Sequence, residues 1–470
     1  MTENWTFSTL GKIAAPGGNG LVDGPFGSNL PASSYQPHGV PVIRGSNLSL
    51  GPGALKDKGY VFVDEELAQK LSRSLCSAND IVFTKKGTLG QTAFIPENAR
   101  YRRYLLSSNQ MKLTVNERIA DPKFVYYLVS SQSSIEKILR DSEATGVPKT
   151  NVAYLKSFPV FLPPLDEQRS ISSLLSSLDD KIELNRRIND TLEAMAQAIF
   201  RDWFVDFGPT RRKVQGVTDP VTIVGGLVTD PTRAQELADL FPPTLGDDGL
   251  PEGWETRVVG DLLEGSIGGD WGSDEPMGQS NHRIAVIRGT DLPSIEEGGT
   301  GSVPYRYTAL KKAQRRTLRS DDIVIEVSGG SPKQPTGRSM LITQSILDRF
   351  DSDVVCASFC RRFRTLSPQV SILLSLHLSV LYAEGGTWKY QNQSTGISNF
   401  QTTLFLETER VNWGGELIAG AFESLVRPMI ERMRTNENIT LGATRDLLLP
   451  KLMSGEIRVG EAEEILEAAQ

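Results

Sequence analysis

Apolar positions recur in alternating steps of three and four at Leu175, Leu178 and Ile182, and Leu192, Ala196, Ile199 and Trp203 resume the frame. No proline or glycine interrupts the chain between Leu165 and Phe207, where either would cost roughly 1 to 3 kcal/mol inside a helix. The spacing predicts one long helix carrying a coiled-coil seam. Counting on within the seam lands on Asn185 and Asn189, and buried asparagines weaken a seam while fixing its register and partner. A core helix of a large domain would show a similar stripe. The length and the polar seam positions favour a spacer helix that needs one specific partner.

Ahead of it, residues 1–163 alternate short apolar runs with turn signals, as in VPVIRG at 40–45 and NDIVFTKKGTLGQTAFIP at 79–96. This punctuation predicts short strands in a curved sheet, a helix over 121–140 and a closing strand from Phe158 to Leu162. After Phe207, a segment rich in Gly, Pro, Asp and Thr reads as a linker lying over a surface, with one short helix near Ala234–Leu240. Then the pattern repeats. GWETRVVGDLLE at 253–264 answers NWTFSTLGKIAA at 4–15, IAVIRGTDL at 284–292 answers VPVIRGSNL at 40–48, DDIVIEVSGGSP at 321–332 answers NDIVFTKKGTLG, and STGISNFQ at 394–401 answers ATGVPKTN at 144–151. The near-constant offset marks one duplicated unit. A second seam runs through Ile418, Phe422, Leu425 and Met429 to Asn436, Ile439 and Ala443, with Pro428 as a kink and Gly455 as a stop.

The expected fold is mixed α+β: two α/β domains separated by two long antiparallel coiled-coil helices, related by a pseudo-two-fold internal repeat. The segments are 1–163, first domain; 164–208, first helix; 209–252, linker; 253–413, second domain; 414–455, second helix; and 456–470, a loosely held acidic tail.

Composition narrows the function classes. At 470 residues the chain exceeds one ordinary core. No apolar run approaches the roughly 18 to 20 residues of a membrane span, and the N-terminus lacks signal-peptide character, so a cytoplasmic protein with no membrane partner is expected. Three cysteines fit a reducing compartment, and Cys356, Cys360 and His377 do not make a zinc-ligand set. The net charge of −7 argues against nucleic acid when taken alone, yet residues 1–165 carry about +5 and residues 254–413 about −1. No phosphate-binding loop, dinucleotide fingerprint, HExxH or GxSxG motif is present. His38, His282 and His377 fall in unrelated contexts, and no catalytic set is expected.

Binding signals are stronger. Lys85, Lys86 and Thr88 occupy a loop after a strand, Arg102 and Arg103 lie between Tyr101 and Tyr104, and Lys149, Thr150 and Asn151 form a third cluster. The second domain offers Arg315, Arg316 and Arg319, then Lys333 and Arg338, then Arg361, Arg362 and Arg364, with Lys389 and Tyr390 beside Trp388. Such groups suit phosphate contacts, leaving loop Asn, Gln and Arg to read base edges. A charged strand edge protected from aggregation would look the same at any single cluster.

At PPLDEQRSISSLLSSLDDKIELNRRINDTLEAMAQAIFRDWF the sequence closely resembles the first central conserved region of specificity subunits of type I restriction-modification enzymes, and NENITLGATRDLLLPKLMSGEIRV resembles the second. The resemblance spans essentially the whole chain. It implies a subunit without catalysis of its own, whose two domains are target recognition domains on double-stranded DNA. The helices would act as a ruler and dock two methyltransferase subunits, forming an adenine-specific methyltransferase. Two restriction subunits would complete the nuclease. No cofactor would bind this chain; S-adenosylmethionine, ATP and magnesium would sit on the partners. Asn185, Asn189, Asn436, Phe200, Trp203 and Phe204 match the conserved regions and are the candidate docking residues, the aromatics packing on a partner or on the domain base. Two other classes compete: a coiled-coil adaptor binding two protein partners, and a stand-alone hydrolase using Asp/Glu clusters. Steep salt dependence of DNA binding separates the first reading from the adaptor.

Overall fold

A computed structural model describes residues 4–53, 55–142, 150–329, 334–394 and 397–468. The chain divides into a first unit of Met1–Leu184 with Thr440–Gln470 and a second unit of Asn185–Ile439.

In the first unit, Thr6–Thr9 pairs antiparallel with Pro159–Leu162. A five-stranded sheet runs in the order Leu21–Asp23, Gln110–Thr114, Asp80–Thr84, Gln91–Phe94 and Ser49–Leu50. A four-stranded sheet runs Val61–Val63, Val40–Ile43, Tyr104–Leu106 and Leu75–Cys76, with the middle pair parallel. The strand Asp80–Thr84 is buried along its whole length, so its centre, Ile81–Val82–Phe83, is apolar on both faces rather than alternating. The helix expected over 121–140 is two helices, Pro122–Ser130 and Gln132–Ser142. They part at Ser131, whose extended backbone (ψ 149°) ends the first.

The second unit repeats this plan. Glu255–Val258 pairs with Arg410–Trp413, and Leu263–Gly268, Cys360–Thr365, Ile323–Glu326 and Ser339–Leu341 form the larger sheet. Tyr305–Thr308, His282–Ile287 and Asp353–Cys356 form the smaller one, again with one parallel pair, Ile284–Ile287 against Asp353–Cys356. A hairpin of Gln391–Ser394 and Ile397–Phe400, extended by Ser328–Gly329, is added. The helix Pro368–Ala383 is unbroken here.

The spacer segments depart from expectation in four places. The first helix is α-helical only over Leu165–Phe200 and passes into a π-helical turn at Arg201–Val205. Phe207 then takes a left-handed conformation (φ 55°), its ring set against Trp254 at 5.7 Å. The second is two helices, Glu416–Met433 and Glu437–Ser454; Pro428 lies inside the first without ending it. Residues 209–252 are not a linker draped on a surface. They carry helices Gly208–Val214, Pro220–Ile223 and Pro231–Asp239, and bury Val224, Ala234, Leu237 and Phe241 in the core of the second unit. The acidic tail forms the helix Val459–Ala468, with Ala462 buried in the core of the first unit. No described helix is long and apolar enough to cross a membrane.

Candidate nucleic-acid interface

The repeated motifs converge at one end of the sheets of each unit. In the first unit, the chain leaves Asp80–Thr84 through Lys85 and Lys86, whose backbone N–H groups both donate to the Asn109 carbonyl, at 2.7 and 3.4 Å. Thr150 joins them, its N–H donating to the Lys85 carbonyl at 3.0 Å and its hydroxyl to that of Thr84 at 3.4 Å. Asn151 caps the helix Val152–Ser157, accepting from the Tyr154 N–H at 2.8 Å. Thr88 is exposed on the same loop, and Lys149 lies outside the described residues. The structure therefore gathers Lys85, Lys86, Thr88, Thr150 and Asn151. It does not bring Arg102 and Arg103 to them. These sit at the opposite end of the strand Tyr104–Leu106, and Arg103 is paired with Glu65. Lys85 is itself bound to Asp23 at 3.0 Å.

The VIRGSNL motif is a turn device rather than a reader. Asn47 is buried and accepts from the Arg44 N–H at 3.0 Å, while its amide donates to the carbonyls of Lys56 and Lys58. In the second unit Asp291 replaces it and is gripped by Arg288 through two guanidinium bonds of 2.8 Å. Burial works against that carboxylate, but Arg288 and the N–H groups of Arg288 and Ser302 outweigh it and lower its pKa.

Among the described second-unit candidates, Arg338 reaches the corresponding loops, donating to the Gly289 carbonyl at 3.3 Å. Lys333 lies outside the described residues. Arg361 is fastened to Ser266 at 3.0 Å, and Arg364 makes a bidentate pair with buried Asp322. In the helix Leu310–Arg316, Lys312 holds Asp270 and Arg316 holds the Gly268 carbonyl, leaving Arg315 and Arg319 exposed. Lys389 and Tyr390 are absorbed by Glu409, which accepts from Tyr390 at 2.5 Å and Lys389 at 2.8 Å and lies 3.0 Å from His377. Burial alone would raise the Glu409 carboxyl, but these donors hold it down to about 2.

A depressed carboxylate stabilises the fold above its unfolded value, near 4.5, and that contribution is lost as pH falls towards about 2. Glu409→Gln is therefore expected to unfold more readily than the natural chain at pH 7. The gap should narrow through that acid window in denaturant titrations. A gap independent of pH would reject the role.

The candidate docking residues separate into two groups. Asn185 donates to Asn438 at 2.9 Å and accepts from Arg432 at 3.1 Å, and Asn189 donates to the Met433 carbonyl at 3.3 Å. These contacts set residues 185–200 antiparallel to 416–439 within the second unit, so the polar seam positions lock the chain to itself. Asn436 accepts from Arg349 at 2.9 Å. Phe200, Trp203 and Phe204 are buried against Phe422, Phe241 and Trp254 in the core of the second unit. Cys356 and Cys360 are buried free thiols, pushed up by burial. Among the described residues no group of three His, Cys, Asp or Glu is placed to hold a metal.

A family model described as the type I restriction modification DNA specificity domain matches residues 29–194. The specificity subunit of the type I restriction enzyme HindI from Haemophilus influenzae is 27% identical over 425 residues, covering 79% of this chain and 87% of that protein. The MjaIX specificity subunit from Methanocaldococcus jannaschii is 23% identical over 420 residues, covering 86% and 83%. The solved structure of a type I restriction-modification S subunit from M. genitalium shares the fold, with a TM-score of 0.50 at 14% identity over 96% of this chain and 97% of that one. Over most of its length the chain is therefore similar to specificity subunits of type I restriction-modification systems.

Proposed function

We propose that this chain is the non-catalytic DNA-reading subunit of a type I system, each domain reading one half of a bipartite duplex target. The observation that carries the reading is the doubled loop frame. Both units build the same turns at the same sheet ends, from VIRGSNL and VIRGTDL and from the loops after Asp80–Thr84 and Ile323–Glu326, yet they surround them with different side chains. Equal frames with unequal surfaces suit two readers of unrelated sequences. The helical segments set the unread spacer and dock two methyltransferase subunits. S-adenosylmethionine, and ATP with magnesium in the restriction complex, belong to the partners, and the complex works in the cytoplasm.

The test is methylome sequencing of a host expressing the chain with its methyltransferase subunit. A bipartite adenine-methylated motif is expected, and exchanging residues 1–163 for another reader should change one half only. A continuous motif, or a change in both halves, would overturn the two-reader scheme.

A further inference from the structure

One turn, where the chain passes from the smaller sheet to the larger, is built with the same backbone hydrogen bonds in both units. In the first unit it is Ser107–Gln110: the Ser107 N–H donates to the Ile43 carbonyl at 3.0 Å, the Gln110 N–H to Ser107 at 3.2 Å, and the Gly24 N–H to Gln110 at 2.8 Å. In the second it is Ala357–Cys360: Ala357 donates to Ile287 at 2.8 Å, Cys360 to Ala357 at 2.8 Å, and Gly269 to Cys360 at 3.1 Å. The tip carbonyl is used in the same way in both. That of Asn109 accepts from Lys85 and Lys86, and that of Phe359 from Val327 and Ser328 at 2.8 and 3.1 Å.

The flanking strand comes so close that only glycine fits. A Cβ at Gly24 would lie 1.9 Å from the Ser107 carbonyl oxygen, and one at Gly269 would lie 2.1 Å from that of Cys356. The turn is thus fixed on three sides by backbone, and the tip side chain is what remains free to differ. Asn109 is exposed, and its amide makes no hydrogen bond among the described residues. Phe359 is 58% exposed, an apolar ring held out at the tip of a turn fixed by backbone hydrogen bonds, where a contact that buries it is favourable.

We propose that residues 109 and 359 are matched specificity positions, Asn109 reading an adenine through its N6 and N7 and Phe359 packing on a thymine 5-methyl group, each in its own half-site. The chemistry follows from the major groove, where a carboxamide pairs bidentately with adenine and an apolar side chain meets the thymine methyl. Lys86 beside Asn109 and Arg338 beside the Gly289 turn supply the charge that holds the backbone of each half-site near these tips. The inference rests on the reading under Proposed function.

The full chain, expressed with its methyltransferase subunit, is compared with Asn109→Ala, Phe359→Ala and Phe359→Leu by methylome sequencing and by methylation of duplexes substituted at single A·T pairs. Asn109→Ala should cut discrimination at one A·T pair of one half-site by roughly 5- to 100-fold and leave the other half intact. Phe359→Ala should do the same in the other half, and Phe359→Leu, which keeps an apolar contact, should retain most of it. Both side chains are exposed, so truncation leaves the buried frame in place. Unchanged discrimination in both variants, or equal relaxation of both halves, overturns the assignment of these positions. A natural chain that yields no bipartite motif overturns the two-reader scheme itself.

Discussion

Trp203→Ala is expected to destabilise the second unit by about 3 to 5 kcal/mol, the cost of deleting a large ring from a packed core. The indole has no exposed surface, meets Phe241 edge-on at 4.9 Å and lies 5.9 Å from Phe422. Its Nε1 is buried without a hydrogen-bond partner among the described residues. The native state already bears that unmet donor, so Trp203→Phe removes it and recovers part of the lost volume. The phenylalanine variant should therefore cost well under half as much as the alanine variant. Urea unfolding of the isolated chain, followed through the transition of the second unit, measures both. A docking role predicts a different pattern: near-native stability of the isolated chain with weakened capture of the methyltransferase subunit. That pattern would return Trp203 and its neighbours Phe200 and Phe204 to the interface.

This distinction also shows what a sequence can reveal. The seam from Leu175 to Ile199 was legible because a helix repeats its apolar stripe wherever it packs, and the duplication was legible because VIRGSNL and VIRGTDL encode the same turn. The end of the first helix was not. Arg201–Val205 widens into a π turn where Trp203 and Phe204 pack in the core of the second unit, and nothing in the local sequence marks it. Residues 209–252 have the composition of a linker because proline opens three short helices there and Asp219 and Asp230 cap two of them, while Leu237 and Phe241 do the packing.

The site was legible only as a surplus of cations. Which of them are free depends on carboxylates far away in sequence, as Lys389 and Tyr390 depend on Glu409 and Arg364 on Asp322. Asn109 and Phe359 stayed hidden for another reason. Their equivalence lies in backbone hydrogen bonds, and SSNQ and ASFC share little beyond one serine.

Arg445→Ala should destabilise the first unit by about 3 to 5 kcal/mol, because it strips a mostly buried ion pair of one partner. Arg445 binds Asp179 at 2.5 Å and Asp446 at 2.8 Å with only 11% of its side chain exposed, and Asp179 also accepts from the Tyr127 hydroxyl at 2.6 Å. Burial pushes the Tyr127 phenol far up, with the Asp179 charge adding to it, which favours the protonated hydroxyl that donates to Asp179. Burial of Arg445 opposes its charge, but the charge on Asp179 outweighs it and keeps the guanidinium protonated. One side chain therefore fastens the helix Glu437–Ser454 to Asp179 on the long helix, and through it to Tyr127 on Pro122–Ser130. Arg445→Lys keeps the charge but loses the planar fork that serves both carboxylates, so an intermediate loss is expected. In a double-mutant cycle, Asp179→Ala and Arg445→Ala together should cost less than the sum of the single changes, since each alone strands a partner. Additive losses would mean that the two residues stabilise the unit independently, and the fastening would then rest on Leu448, Leu449 and Leu452 in the core.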